Sequence, residues 1–138
     1  DSRYYYLSHF SLFINKRKYI MDDERIIALA QHLNIEIHLI ENHVEEITEL
    51  AFGSYQYGSQ EYMVLTDDEA DKEMERNAES WVQDELYSME THIKQFIDED
   101  KMIEYYMDDD RGNQLAWYDN IEHTEEVDGT TYYIYRTQ

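Results

Sequence analysis

Cysteine and proline are both absent from these 138 residues, and glycine occurs only four times. Without cysteine there is no disulfide framework, and the composition fits a reducing compartment. No apolar run approaches the roughly 20 residues that a membrane-spanning helix needs, so no membrane partner is expected. The opening YYYLSHFSLFI is apolar, but His9 interrupts it, and it has neither a basic region nor a small-residue cleavage site. It does not read as a signal peptide. The first residue is Asp1 rather than Met, which points to residues ahead of it. Catalytic signatures are missing too. There is no G-x-S-x-G, no glycine loop to cradle phosphate and no dinucleotide fingerprint. Carboxylates are so abundant that any fold would bring some together, so their pairing says nothing specific about acid–base chemistry. The expectation is a non-enzymatic protein with no catalytic residues and no cofactor. Metal is not expected either. His9, His32, His38, His43, His92 and His123 are scattered without H-E-x-x-H spacing. Asp108-Asp109-Asp110-Arg111-Gly112 is similar to a calcium loop but lacks the alternating ligands and the terminal glutamate.

Positive charge is the other scarcity. Eleven Lys and Arg face 32 Asp and Glu, which leaves a net charge of −21. The imbalance is uneven, because residues 61–128 hold 23 acids and five bases while residues 1–25 hold four acids and five bases. Such a surface repels nucleic acid and anionic membrane and attracts basic proteins. Apolar residues nevertheless make up 42% of the chain, which argues against full disorder. The length suits one domain, 1–138, with a real core.

The apolar patterning predicts a strand within 3–14, then a helix in MDDERIIALAQHLN. Asp22 or Asp23 would cap that helix, Ile26, Ile27, Ala30 and Leu33 would form its inner face, and Asn34 would end it. IEIHLI (35–40) alternates like a strand, and HVEEITEL (43–50) reads as a short helix. FGSYQYGSQEYMVL reads as a hairpin turning at Gly58-Ser59. Thr66-Asp67-Asp68-Glu69 has the form of a capping box, with Leu65 placed to staple onto Ala70. The helix it starts carries Ala70, Met74, Ala78, Trp81, Val82, Met89, Ile93 and Phe96 as one apolar stripe, with Leu86 at its edge. Met102, Ile103, Tyr106 and Met107 suggest a second helix, broken by Arg111-Gly112. QLAWYD (114–119) reads as a strand. IEHTEEV and TTYYIYR flank Asp128-Gly129, the signature of a type I′ hairpin. The order of elements predicts an α+β fold, a mostly antiparallel sheet with a long amphipathic helix and shorter helices packed on one face.

The stretch DEDKMIEYYMDDDRGN (98–113) sets seven acids among Met102, Ile103, Tyr105, Tyr106 and Met107. A helix with apolar residues inward and acids outward accounts for the mixture, but not for an outer face almost wholly of one sign. Residues 67–85 hold nine acids and two bases. At about 1.5 Å rise per residue, their net charge falls about every 4 Å, close to the roughly 3.4 Å spacing along one strand of B-DNA. Intrahelical pairs such as Asp68–Lys72 and Glu90–Lys94 absorb only part of this charge. The partner-binding candidates are therefore Asp67, Asp68, Glu69, Glu73, Glu75, Glu79, Asp84 and Glu90, with Asp98, Glu99, Asp100, Asp108, Asp109 and Asp110. Trp117 and Tyr118 beside Asp119 are candidate aromatic anchors. Tyr133 and Tyr135 fall on the opposite face of their strand from Tyr132 and Ile134. That alternation means either a sheet covered on both faces or an exposed aromatic patch.

EYMVLTDDEAD (61–71), DDRGNQLAWYDN (109–120) and the terminal YYIYRTQ resemble, in order and spacing, small acidic proteins of bacteriophages and their relatives. The resemblance covers roughly residues 61–138. It implies a phage or mobile-element setting in the cytoplasm of a bacterial host. Small, very acidic proteins of that setting include DNA mimics that inhibit restriction, CRISPR or repair enzymes. The partner so implied is a basic nucleic-acid-binding host protein, bound without direct contact to nucleic acid. An acidic adaptor or antitoxin-like module, bound to a basic protein outside its nucleic-acid groove, is the alternative.

Overall fold

The structure is a computed structural model and describes residues 17–35 and 47–138. Its described residues form five helices and five strands, with four helices in a row between two groups of strands. They are α1 (Arg17–His32), β1 (Ile47–Ala51), β2 (Ser54–Tyr57), β3 (Gln60–Leu65), α2 (Asp67–Ser88), α3 (Thr91–Lys94), α4 (Glu99–Met107), α5 (Arg111–Leu115), β4 (His123–Val127) and β5 (Thr130–Arg136). The strands form one antiparallel sheet in the order β1-β2-β3-β5-β4. This is the expected α+β architecture. The strand expected within 3–14 lies outside the described residues, as does all but Ile35 of the one expected over 35–40.

Side-chain alternation along β3 and β5 divides the core. Tyr62, Val64, Tyr132 and Ile134 point one way, into a cluster with Ile27, Ala28 and Leu29 of α1. Leu65 and Tyr135 point the other way, toward Ala70 and Met74 of α2 and Leu115 of α5, with Met63, Met107 and Tyr133 alongside. The long helix and the shorter α4 and α5 thus share one face, and α1 takes the other. The tyrosines of β5 are used by a sheet covered on both faces, not by an exposed patch.

Several local signals act as their chemistry requires. Thr66 N–H donates to Glu69 Oε1 at 2.8 Å, and Glu69 N–H donates to Thr66 Oγ1 at 3.4 Å, so both halves of the capping box are made. Asn34 ends α1 in the left-handed region at φ 61°. Ile35 N–H reaches Ala30 O and Asn34 N–H reaches Gln31 O, which makes a Schellman stop. Asp128 and Gly129 both have positive φ, 50° and 82°, as a type I′ turn demands. Gly58 and Ser59 turn the β2–β3 hairpin.

Other elements depart from the pattern. α1 begins at Arg17, so Asp22 and Asp23 lie inside it and do not cap it. The helix already runs through residues 17–21, and an interior aspartate costs it at most about 0.7 kcal/mol. Ile47–Ala51 is a strand and not the end of a helix, because Ile47 pairs with Tyr57 and is buried there. Pairing outweighs the helical propensity of EEITEL. The long helix stops at Ser88, whose hydroxyl donates to Glu85 O, and Met89 is extended. The apolar stripe therefore ends at Leu86, which is buried, while Ile93 and Phe96 are exposed. Trp81 is half-buried, edge-on to Tyr106. QLAWYD is not a strand: Gln114 and Leu115 close α5, and Trp117–Asp119 form a turn. The break expected at Arg111-Gly112 comes earlier, at Asp108–Asp110, and Gly112 lies within α5.

Candidate binding surface

Two arginines consume much of the acid on the first turns of α2. Arg25 is 1% exposed; it donates to both carboxylate oxygens of Glu69 at 2.8 Å and to Val64 O at 2.8 Å. Phe52 and Tyr132 lie against its guanidinium, with ring centroids 4.6 and 5.6 Å away. Burial works to raise the Glu69 pKa. The hydrogen bonds from Arg25 and Thr66 outweigh it and hold this carboxyl below its ordinary value. Arg111 donates to Glu122 at 2.8 Å, to the Asp67 carboxylate at 2.7 Å and to Asp71 at 3.1 Å, and lies over the Tyr133 ring. Glu73 is engaged as well, by Arg76 one turn on. Glu69, Asp67 and Glu73 are therefore bound structurally, a role that charge counting misses. The signal for it was the lone arginines in acidic surroundings.

The expected Asp68–Lys72 and Glu90–Lys94 pairs are not formed, consistent with the small gain that exposed pairs offer. Among the described residues, Asp68, Glu75, Glu79 and Asp84 remain exposed with no base in contact. At about 100° per residue, Asp68, Glu75 and Glu79 share one flank of α2, whereas Glu73 and Asp84 lie on the opposite flank. The outermost ridge between the flanks carries Lys72, Arg76 and Gln83. Three free charges over about 16 Å are sparser than a phosphate strand, so α2 alone is no phosphate ladder.

In the 98–110 cluster, three of the acids shape the backbone. Asp98 accepts from Lys101 N–H and caps α4, and Asp110 accepts from Asn113 N–H and caps α5. Asp109 is held below the ordinary carboxylate range by side-chain donation from Asn113 and Gln114 and by Asp110 N–H. Glu99 accepts from Gln83 at 3.1 Å. The side chains of Asp100, Glu104, Asp108 and Glu90 are exposed; Glu90 has only the His92 ring nearby, at 3.5 Å. Trp117 is 63% exposed, with its indole N–H bonded to Gln114 O. Tyr118, also exposed, carries the Arg136 guanidinium 3.5 Å over its ring. These two aromatics stand on the turn after α5.

Among the described residues, no group of three or more His, Asp or Glu is arranged to hold a metal ion. The rings of His32 and His123 lie tilted with centroids 4.5 Å apart, and burial, then the neighbouring His123, push His32 below its ordinary pKa. Among the same residues no helix is long and apolar enough to cross a membrane.

The buried tyrosines set an alkaline limit. Burial, then hydrogen bonding to a carboxylate, raises Tyr135 (to Glu122) and Tyr132 (to Glu24) well above the ordinary tyrosine value. A folded pKa above the unfolded one stabilises fully below the unfolded value, about 10, and that stability is lost as pH rises. We expect each residue to remove up to about 1.4 kcal/mol per pH unit above pH 10. Urea titrations at stepped pH measure this slope. Tyr135→Phe should cut it by about one proton's worth, and an unchanged slope would count against the assignment.

The described fold is thus that of an α+β protein with an acidic, aromatic-studded surface on its helical side. Comparison of the chain with protein families, with curated proteins and with solved structures found no match.

Proposed function

We propose that this protein is a non-enzymatic binder that blocks a basic, nucleic-acid-handling protein by occupying its phosphate-binding groove. A phage or mobile-element origin and action in the cytoplasm of a bacterial host belong to the same proposal. One observation carries it: beyond the arginine pairs among the described residues, Asp68, Glu75, Glu79, Asp84, Asp100, Glu104 and Asp108 are still exposed with no described base in contact. Such a surplus costs stability through self-repulsion, and a basic partner would offset that cost on binding. Long-range attraction speeds encounter with a basic groove, and exposed aromatics supply short-range specificity.

The test is competition. A basic host protein captured on this protein is offered labelled duplex or single-stranded nucleic acid, with and without this protein as competitor. The expected result is displacement that weakens steeply as salt rises. Glu75→Lys with Glu79→Lys, both free and on one flank of α2, should weaken displacement about tenfold or more. Glu73 is the poorer choice, since its reversal would also break the pair with Arg76. A stable ternary complex would overturn mimicry. It would leave the adaptor reading, which the exposed Trp117 and Tyr118 favour as anchors outside any groove.

A further inference from the structure

The break at Met89 turns part of the apolar stripe away from the core. Beyond it, α3 buries no residue at all, and Phe96 is 80% exposed. Backbone bonds hold this segment in shape: Ile93 and Lys94 N–H donate to Glu90 O, and Phe96 N–H donates to Ile93 O. At the end of α2, Tyr87 is 89% exposed. Beside Tyr87 opens a pocket of about 510 Å³ lined by Gln83, Asp84, Leu86, Tyr87, Lys94 and Glu99. The Gln83–Glu99 hydrogen bond ties α2 to α4 across it, so its shape exists before anything binds.

We propose that this end of the molecule docks a basic amphipathic segment of the partner protein, with an apolar side chain seated in the pocket against Leu86 and Tyr87, the exposed Phe96 adding apolar surface on α3's side, and Lys or Arg residues facing the acids. The inference rests on the reading of the partner as basic, and it adds the place of contact and the form of the contacting segment. Charge selects the occupant. Residues 83–101 hold six acids and two bases, Lys94 and Lys101. A purely apolar occupant would strip water from those carboxylates and give nothing back. A second copy of this chain would set acid rim on acid rim, each copy carrying −21. A segment with both anchors and cations satisfies the whole surface, as amphipathic helices do in apolar grooves with charged borders.

Three synthetic peptides of equal length test this against the purified chain: lysine and leucine at helical spacing, the same lysines with serine for leucine, and glutamate for lysine. The Lys/Leu peptide should bind about ten times more tightly than either control. Tyr87→Ala with Phe96→Ala should remove that tenfold and leave the salt dependence intact; circular dichroism confirms that the fold survives the loss of two exposed side chains. Glu126→Gln, exposed on β4 and not part of the pocket lining, should leave the Lys/Leu advantage unchanged. Equal binding of the Lys/Leu and Lys/Ser peptides would overturn this docking site while leaving a generally acidic binding surface in place. Failure of both cationic peptides to bind would overturn both readings. Dimerisation of the chain alone, abolished by Phe96→Ala, would assign the patch to a second copy and overturn the proposal.

Discussion

Arg25→Met should lower the unfolding free energy by about 2–4 kcal/mol, a large share of the roughly 5–15 kcal/mol typical of a domain. The size follows from what the guanidinium does. β2 ends at Ser54, opposite Met63, so the Val64 carbonyl lies beyond the last strand partner on that edge and takes its donor from Arg25. Methionine fills the space but leaves that carbonyl and the Glu69 carboxylate without their cation. Glu69 is 28% exposed, so water recovers some of the loss, and for that reason the value falls toward the low end for a broken buried pair. Glu69→Gln keeps a side chain able to complete the capping box. The double variant Arg25→Met with Glu69→Gln should therefore lose less than the sum of the single ones. Urea unfolding of the four proteins measures the coupling. Strict additivity would mean that the two side chains do not support each other.

Gly112→Ala should cost about 1–3 kcal/mol, although alanine is the better helix former. Gly112 has ordinary helical backbone, so conformational freedom is not the issue. A Cβ there would lie 2.6 Å from Asn120 O and 3.1 Å from Glu122 N. Both are backbone atoms and cannot rotate aside. Relief requires moving the Trp117–Asn120 turn, and Glu122 moves with it. Glu122 is the acceptor for both Arg111 and the Tyr135 hydroxyl. The change should appear as a lower melting temperature together with a shift in tryptophan fluorescence, and a melting curve that overlays the parent would show that the turn yields freely.

What could be read in advance was local. The Thr66–Glu69 box, the Asn34 stop and the Asp128-Gly129 turn each depend on residues within one turn of each other, and each is present. Elements that depend on distant partners could not be read so. Ile47–Ala51 is a strand because β2 offers it an edge, and Ile93 and Phe96 leave the stripe because the helix ends eight residues before the periodicity does. The acidic surface was legible as a count of charges but not as an arrangement. Arg25 and Arg111 each bind an acid 44 positions away, on the first turn of α2. No local pattern announces those pairs, yet they remove Glu69 and Asp67 from the free surface. The exposure of Trp117 and Tyr118 was inferred correctly, but from the wrong element, since a turn and not a strand presents them.

The strand order carries a consequence for how fast the chain folds. β1, β2 and β3 form a meander, and β4 and β5 a hairpin, so most pairings close short loops. The central pairing of β3 with β5 is different, for Tyr62 meets Arg136 and Leu65 meets Tyr133 across about seventy residues of chain. Short hairpins form in microseconds, whereas closing so long a loop is costly before its contacts repay it. The two sheet fragments therefore act as preassembled parts whose docking sets the folding rate. Residues along that seam, Val64 and Ile134 above all, should govern the speed of folding, and those at the β1 edge mainly the speed of unfolding.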